Sequence, residues 1–327
     1  MKSILSKFIF GFLVGGAFLY MTLRQIDFSN FWGNLLSANY FLILPAVLIY
    51  ILGFAVRGIR WQHILTPLKR ISSVKLFSLM IMGFFMNSLL PLRLGEIIRA
   101  HITGQKIECP RSSVLATIVV ERLFDSLAYL FLFIITIIFL PFPIWVRKTF
   151  TIAGFVFIGG FIFLYILSHN NKLATKILTH LPLPGKLNTF AQKLLTNFID
   201  GLKILKNFKD LAKIFTLSIT VWTLEATVYL IISYAFGLQL NLLHCILVMA
   251  IIATGSILPT APGYVGTMEF LGVASLAFLG VEKNSAFAFI VTLHAMQLFT
   301  IFMLGIRGIV REKISFSDML NIANKKE

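Results

Sequence analysis

Three stretches of this chain place charged or helix-breaking residues inside otherwise apolar sequence. The first reads Asn87-Ser-Leu-Leu-Pro91-Leu-Arg93-Leu-Gly95-Glu96-Ile-Ile-Arg99. Proline and glycine open a helix here, which is tolerated at membrane depth only where the backbone lines a cavity or is buried in protein. A helix restarting after Gly95 would aim its unpaired N–H groups at that cavity and favour an anionic group. Arg93 and Arg99 have the planar fork that suits a phosphate, and Glu96 would steady an arginine or exchange protons. The second stretch, Glu121-Arg122-Leu-Phe-Asp125, lies in a long apolar run. Glu121 and Asp125 share a helical face at i,i+4, and Arg122 reaches Asp125 at i,i+3. Charges inside a span face the bundle interior or a wet cavity. Two readings stay open for them: an ion-pair network that locks helices together, or an ionisable cluster in a substrate path, with Arg93 or Arg99 as counter-charge. The third stretch carries Pro259, Pro262, Gly263 and Gly266 at a break, with Glu269 one turn into the resumed segment. A tight packing turn explains the glycines but not Glu269. Glu225, His294 and Gln297 are weaker candidates, since a lone polar residue facing a neighbouring helix is the commoner case.

The elements that must position these residues are membrane helices. Six apolar stretches are long enough to cross, roughly 4–23, 39–59, 113–140, 146–168, 211–236 and 285–307, against a need for about 20 residues each. Two further apolar regions are interrupted, Val74 to about Ile107 at Pro91–Gly95, and Leu242 to Leu279 at Pro259–Gly266. Basic residues gather in 57–75, in 169–213 and after Arg307. The positive-inside rule puts all of these in the cytoplasm only if each interrupted region enters and leaves on one side. The expected fold is therefore all-α and polytopic, about six full spans plus two re-entrant helical hairpins. Residues 1–140 and 146–310 then form an inverted-topology repeat, an arrangement common in transporters. Pro91 precedes Gly95 by four positions as Pro262 precedes Gly266. Residues 1–310 make one transmembrane domain, and 311–327 a basic cytoplasmic tail. Within the 169–213 connection, Lys186 to Asp210 has helical apolar spacing from Leu187 to Phe208 with lysines between. That pattern fits a helix lying on the cytoplasmic leaflet or one packed on the protein.

Composition agrees. Of 327 residues 58% are hydrophobic and 13% charged, with mean hydropathy +0.89 and 33 phenylalanines, where soluble domains hold about a quarter charged residues. The net charge of +16 sits in short loops beside apolar segments, which fits topology signals and anionic lipid and not nucleic acid. Cys109 and Cys245 have no metal or disulfide spacing and read as apolar fillers. The apolar start, Ile4 to Leu23, is long enough to span and has no cleavage site, so it is taken as the first helix and not a signal peptide. A phosphate-binding glycine loop, a His-Glu-x-x-His helix and a serine elbow are all missing, which leaves enzyme chemistry, cofactors and metals without support.

The motifs Asn87-Ser-Leu-Leu-Pro91-x-Arg93-x-Gly95-Glu96-x-x-Arg99, Val120-Glu121-Arg122-x-x-Asp125 and Leu258-Pro-Thr-Ala-Pro262-Gly263-x-x-Gly266-Thr-x-Glu269 resemble the flippase-like family related to the transmembrane region of lysylphosphatidylglycerol synthases. Arg57-x-x-Arg60-Trp61 looks like that family's second-span ending, and the resemblance covers roughly residues 5–310. It implies translocation of lipid, with Arg57 and Arg60 as cytoplasmic headgroup contacts. In the full-length synthases a cytoplasmic aminoacyl-transferase domain follows the membrane part. This sequence ends at Glu327 without one, so lysine transfer is not carried over. The resulting expectation is a translocase for a phospholipid or lipid-linked molecule with an anionic headgroup. It would sit in a prokaryotic cytoplasmic (inner) membrane with both termini inside, with membrane lipids and a lipid-modifying enzyme as candidate partners and oligomeric assembly left open. The alternatives are a small-solute secondary transporter and a non-transporting scaffold for a lipid-modifying enzyme; a membrane glycosyltransferase lies further off, without an acidic metal-binding pair.

Overall fold

The computed structural model describes residues 2–90, 93–139, 144–170, 185–255 and 261–319. Every regular element among them is helical. The first six helices are α1 (Lys2–Leu23), α2 (Phe28–Ser37), α3 (Ile43–Leu65), α4 (Ser73–Leu89), α5 (Leu94–Ile107) and α6 (Arg111–Phe139). The next six are α7 (Ile144–His169), α8 (Gly185–Gly201), α9 (Phe208–Ala235), α10 (Leu242–Gly255), α11 (Thr267–Phe278) and α12 (Lys283–Glu312). Single 3₁₀ turns precede α3 (Tyr40–Leu42), α9 (Lys203–Lys206) and α11 (Pro262–Tyr264).

Among the described residues, five helical stretches are long and apolar enough to cross a membrane, and α1 bent by 90° into α2 makes a sixth. All six expected spans are present, most of them longer than hydropathy indicated. α12 has 30 residues, which rise about 45 Å, against roughly 30 Å of hydrocarbon. Its ends therefore reach beyond the apolar layer. The bend after α1 is set by Asp27, whose carboxylate accepts the Ser29 and Asn30 N–H groups and starts α2 as a separate helix. Outward faces are apolar, as lipid contact requires: Phe155 on α7 and Phe41 before α3 are 75% and 90% exposed.

Both interrupted regions fold back on themselves, α4 against α5 and α10 against α11. Polar contacts place their open ends at opposite ends of the bundle. Near the first hairpin's open end, Lys69 Nζ donates to the Ile107 carbonyl and Lys106 Nζ to the Glu312 carbonyl, each at 2.8 Å. His63 and Asp210 meet at 2.9 Å at that end too. At the other end, where α9 leads into α10 and α11 into α12, the Asn39 N–H donates to the Ala235 carbonyl and the Asp27 N–H to Asn284 Oδ1, both at 2.8 Å. The two tips meet between them, with the 262–264 turn packed on α4.

Packing also repeats with a step of six helices. α4 packs on α12 and α10 on α6; α6 packs on α8 and α12 on α2; α3 and α9 pack on each other. The first members of the two sets differ. α1 lies against the second hairpin, with Phe18 stacked on Phe270 at 4.8 Å and Gly15 beside Gly266. α7 packs on α6 and makes no comparable contact with α5 among the described residues. Gly159, midway along α7, has nothing within 4 Å of where a side chain would begin.

One expectation needs correction. The amphipathic stretch 186–210 is not one helix. It stops at Gly201, where a Cβ would collide with the Ser113 carbonyl oxygen, and the chain passes through a 3₁₀ turn before α9. This close approach fixes α8 on α6, so it packs on the protein while Phe190 and Leu194 stay exposed. Residues 171–184, in the first part of the connection, and 320–327, the end of the basic tail, lie outside the described residues.

Candidate functional site

A cavity of about 230 Å³ opens where the hairpin tips meet. α3 turns Tyr50, Phe54 and Arg57 toward it at spacings of four and three, one helical face. α4 supplies Phe84, Asn87 and Ser88; the first break supplies Arg93 and Glu96; α6 supplies Arg122, Asp125 and Tyr129. From the second half come Trp222 and Glu225 on α9, Gly263 and Tyr264 at the second break, and His294 and Gln297 on α12. The wall thus holds three arginines, Arg57, Arg93 and Arg122, against three carboxylates, Glu96, Asp125 and Glu225. That balance makes the cavity a polar chamber and not a simple anion trap.

Most of these charges already have partners. Arg122 lies 2.8 Å from Glu96, 3.2 Å from Asp125 and 3.3 Å from Glu121. Asp125 Oδ1 also accepts from Arg60 Nη1 at 2.6 Å and from Trp222 Nε1 at 3.0 Å. Arg57 is held more loosely than Arg122, 3.6 Å from Glu225 and 3.8 Å from Asp125, with its guanidinium 5.2 Å from the Trp222 ring centre. An anion entering here would meet Arg57 at a lower cost in broken contacts than Arg122. Asn87 Oδ1 is buried beside the cavity with no hydrogen-bond partner among the described residues, an orphan acceptor whose burial costs free energy until a donor arrives.

The breaks share a backbone feature. Arg93 and Tyr264 are both non-glycine residues at positive φ, 56° and 62°, each two positions before a glycine. Left-handed geometry in a bulky residue is strained, and such strain collects at functional sites. Both side chains line the cavity. Gly266 closes the second break at φ 86°, and Glu269 accepts its N–H at 2.6 Å, which caps α11.

The structure sorts the expected site residues into two layers. Arg57, Asn87, Arg93, Glu96, Arg122, Asp125 and Gly263 line the cavity. Behind them stand Gly95, Arg99, Glu121, Gly266 and Glu269. Pro262 is in the second turn without facing the cavity, and Pro91 and Pro259 lie outside the described residues. Arg99 points away: its Nη1 and Nη2 donate to Glu121 at 3.2 and 2.8 Å, and its guanidinium lies 3.5 Å above the Trp61 ring. Of the α6 charges, Glu121 is held in the ion-pair network, and Arg122 and Asp125 face the cavity. The placement of Arg60 is a correction. It is 0% exposed and bonded to Asp125 and to Ser218 Oγ at 2.7 Å, so it meets no headgroup at a membrane surface. Arg57 likewise faces the cavity and not a cytoplasmic loop. Tyr50, Phe54, Trp222 and Tyr264 were missed, although the Tyr50/Phe54/Arg57 and Trp222/Glu225 spacings show that they share faces with charges. Cys109 lies between α5 and α6, where burial pushes its thiol pKa up, consistent with an inert filler.

Comparison with known proteins agrees with this arrangement. The model of the lysylphosphatidylglycerol synthase TM region matches residues 8–305. The chain belongs to that family. A UPF0104 membrane protein of Methanocaldococcus jannaschii is 28% identical over 226 residues, 68% of this chain and 91% of that protein. Another, from Methanothermobacter thermautotrophicus, is 24% identical over 298 residues, 85% of this chain and 87% of that protein. The glycosyltransferase AglD of Haloferax volcanii is 33% identical over 112 residues, 34% of this chain and 18% of AglD. No solved structure matches. Family membership and the apolar helices make this a membrane protein.

Proposed function

We propose that this chain is a lipid translocase for a phospholipid or lipid-linked molecule with an anionic headgroup, acting without enzyme chemistry of its own. The observation that carries this reading is the convergence of two opposed hairpin tips on one charged, aromatic-walled cavity. The anionic group displaces Glu225 from loosely held Arg57 and is met by Arg93 at the first break. Tyr50, Phe54, Phe84 and Trp222 enclose the neighbouring part of the lipid, and the tails remain among the exposed apolar faces. Matching contacts at a step of six helices support an inverted repeat, whose halves alternate access by rocking around the tips. The clustering of basic loops at one end supports placing that end, with both termini, in the cytoplasm of a prokaryote. The name of the glycosyltransferase relative supports a lipid-modifying enzyme as partner.

The test is movement of headgroup-labelled lipids, anionic beside neutral, across liposomes holding the purified chain, with Arg93→Asn alongside. Asparagine tolerates the left-handed backbone, so the turn survives while the cation is lost. Expected is rapid movement of the anionic lipid that falls about tenfold or more in the variant, the factor for one charge-assisted bond of roughly 1.5 kcal/mol. Movement no faster than in empty liposomes, with or without a proton gradient, would remove the translocase reading.

A further inference from the structure

On top of the packing of α11 against α12, one polar side chain of α12 bridges to the second hairpin at two points, and this bridge has a proton requirement. His294 Nδ1 lies 2.6 Å from Glu269 Oε1, and His294 Nε2 lies 2.7 Å from the Gly263 carbonyl oxygen. A carbonyl oxygen only accepts, so Nε2 must carry a hydrogen to make its contact. Nδ1 then has two choices. It carries a second hydrogen and donates to the carboxylate, or it accepts from a protonated Glu269. Either way the pair holds one proton more than a neutral imidazole beside a carboxylate. The other carboxylate oxygen of Glu269, Oε2, accepts the Gly266 N–H. Both side chains are buried.

We propose that Glu269 and His294 form a proton-binding site whose occupancy latches the second hairpin to α12. When the proton leaves, the imidazole keeps one N–H for two acceptors. With the hydrogen on Nε2, the Nδ1 lone pair faces a carboxylate; with it on Nδ1, the Nε2 lone pair faces the Gly263 carbonyl. One contact becomes repulsive in each case. The first loosens the capped start of α11 and the second frees the turn at Gly263, and both join the hairpin to α12. No other group needs to change charge, and the proton goes to water in the cavity that His294 lines.

The latch is wired to the headgroup position. Gln297, one turn along α12 from His294, donates through Nε2 to Glu225 Oε1 at 2.7 Å, and Glu225 faces Arg57. An anion that takes Arg57 from Glu225 therefore disturbs the helix carrying His294. The ionisable groups sharing the cavity are Tyr50 and Arg57 on α3, Arg93 and Glu96 at the first break, Arg122, Asp125 and Tyr129 on α6, Glu225 on α9 and Tyr264 on the turn. Among the other packed elements, Lys75 on α4 and His244 and Cys245 on α10 lie at the ends away from the tips, Tyr20 of α1 is exposed, and α2 carries no ionisable group.

This proposal deepens the translocase reading by giving it a coupling ion, yet its test needs no transport. The full chain in lipid nanodiscs, labelled with ¹⁵N-histidine, is titrated from about pH 5 to pH 9, around the range where histidine changes charge. His294 is identified by the resonance lost in His294→Gln. A spin label on exposed Val265, in a Cys109→Ser, Cys245→Ser background, reports hairpin mobility. Expected is a single-step shift of the His294 nitrogens, with label mobility rising over the same step. A His294 resonance that stays fixed overturns the proposal, since a proton bound throughout cannot be exchanged. So does a shift with no change at the label. The wild-type pair carries both readouts, so misfolding of His294→Gln only shifts the assignment to Glu269→Gln. Lipid that fails to move in liposomes would count against translocation and leave this result standing.

Discussion

At Arg99 the guanidinium has a carboxylate on its edge and an indole on its face, and both neighbours are sealed from solvent. Truncating it leaves Glu121 as a buried charge with less than its full complement of partners. Arg99→Ala is expected to cost about 3–5 kcal/mol, read as a large drop in the thermal midpoint of the detergent-solubilised protein. Arg99→Lys keeps the charge but not the fork or the stacking, and should fall between. Equal midpoints for all three would show that the network does not lock the bundle. The pairing was partly legible: an acid one helix away was expected for Arg93 or Arg99, and Glu121 is that acid. Arg93 and Arg99 were expected to act together, yet six residues turn a helix by about 240° past full circle, so the two face different ways. Arg60 was misplaced for another reason. Its partners Asp125 and Ser218 are 65 and 158 residues away, and no local pattern reports contacts of that range.

Among the elements, the hairpins depend on glycine at their closest approaches. A Cβ at Gly95 would run into the Gly83 carbonyl and stand 2.6 Å from the Asn87 backbone nitrogen. Gly95→Ala should therefore open the first hairpin and abolish correctly inserted protein, while Gly16→Ala, with nothing within 4 Å, should leave yield and melting unchanged. Protease accessibility of the basic loops and size-exclusion profiles would check both. Spans and hairpins were readable because apolar length and loop charge are local properties. The break at Gly201 was not, since the clash that forces it comes from α6. α2 escaped for the opposite reason. Its ten residues are too few to span, and the Asp27 cap that starts it has no apolar run long enough to attract notice. The sequence echo Gly15-Gly16-Ala-Phe-Leu-Tyr20 and Gly159-Gly160-Phe-Ile-Phe-Leu-Tyr165 was available and would have strengthened the pairing of α1 with α7.

For the whole molecule, the telling fact is that, among the described residues, the repeat of contacts breaks at α1 and α7: α1 is seated on the second hairpin, while α7 packs on α6 and stands off from the first. Gly15 is covered by the 261–266 segment, whereas its echo Gly159 faces open space. If the halves trade conformations, as the proposed translocation cycle requires, the present shape of one half is a template for the future shape of the other. On that proposal the bare flank of α7 would be a reserved berth, filled by the first hairpin in the opposite-facing state as α1 now receives the second. A bulky residue there should be silent until the molecule turns over. Gly159→Trp is expected to fold and melt like the parent and to bind labelled lipid from one side, yet to complete no crossing. Normal crossing by that variant would mean that α7 stays apart throughout the cycle and that the two halves, alike in packing, divide the work as unequal partners, one moving and one serving as the frame.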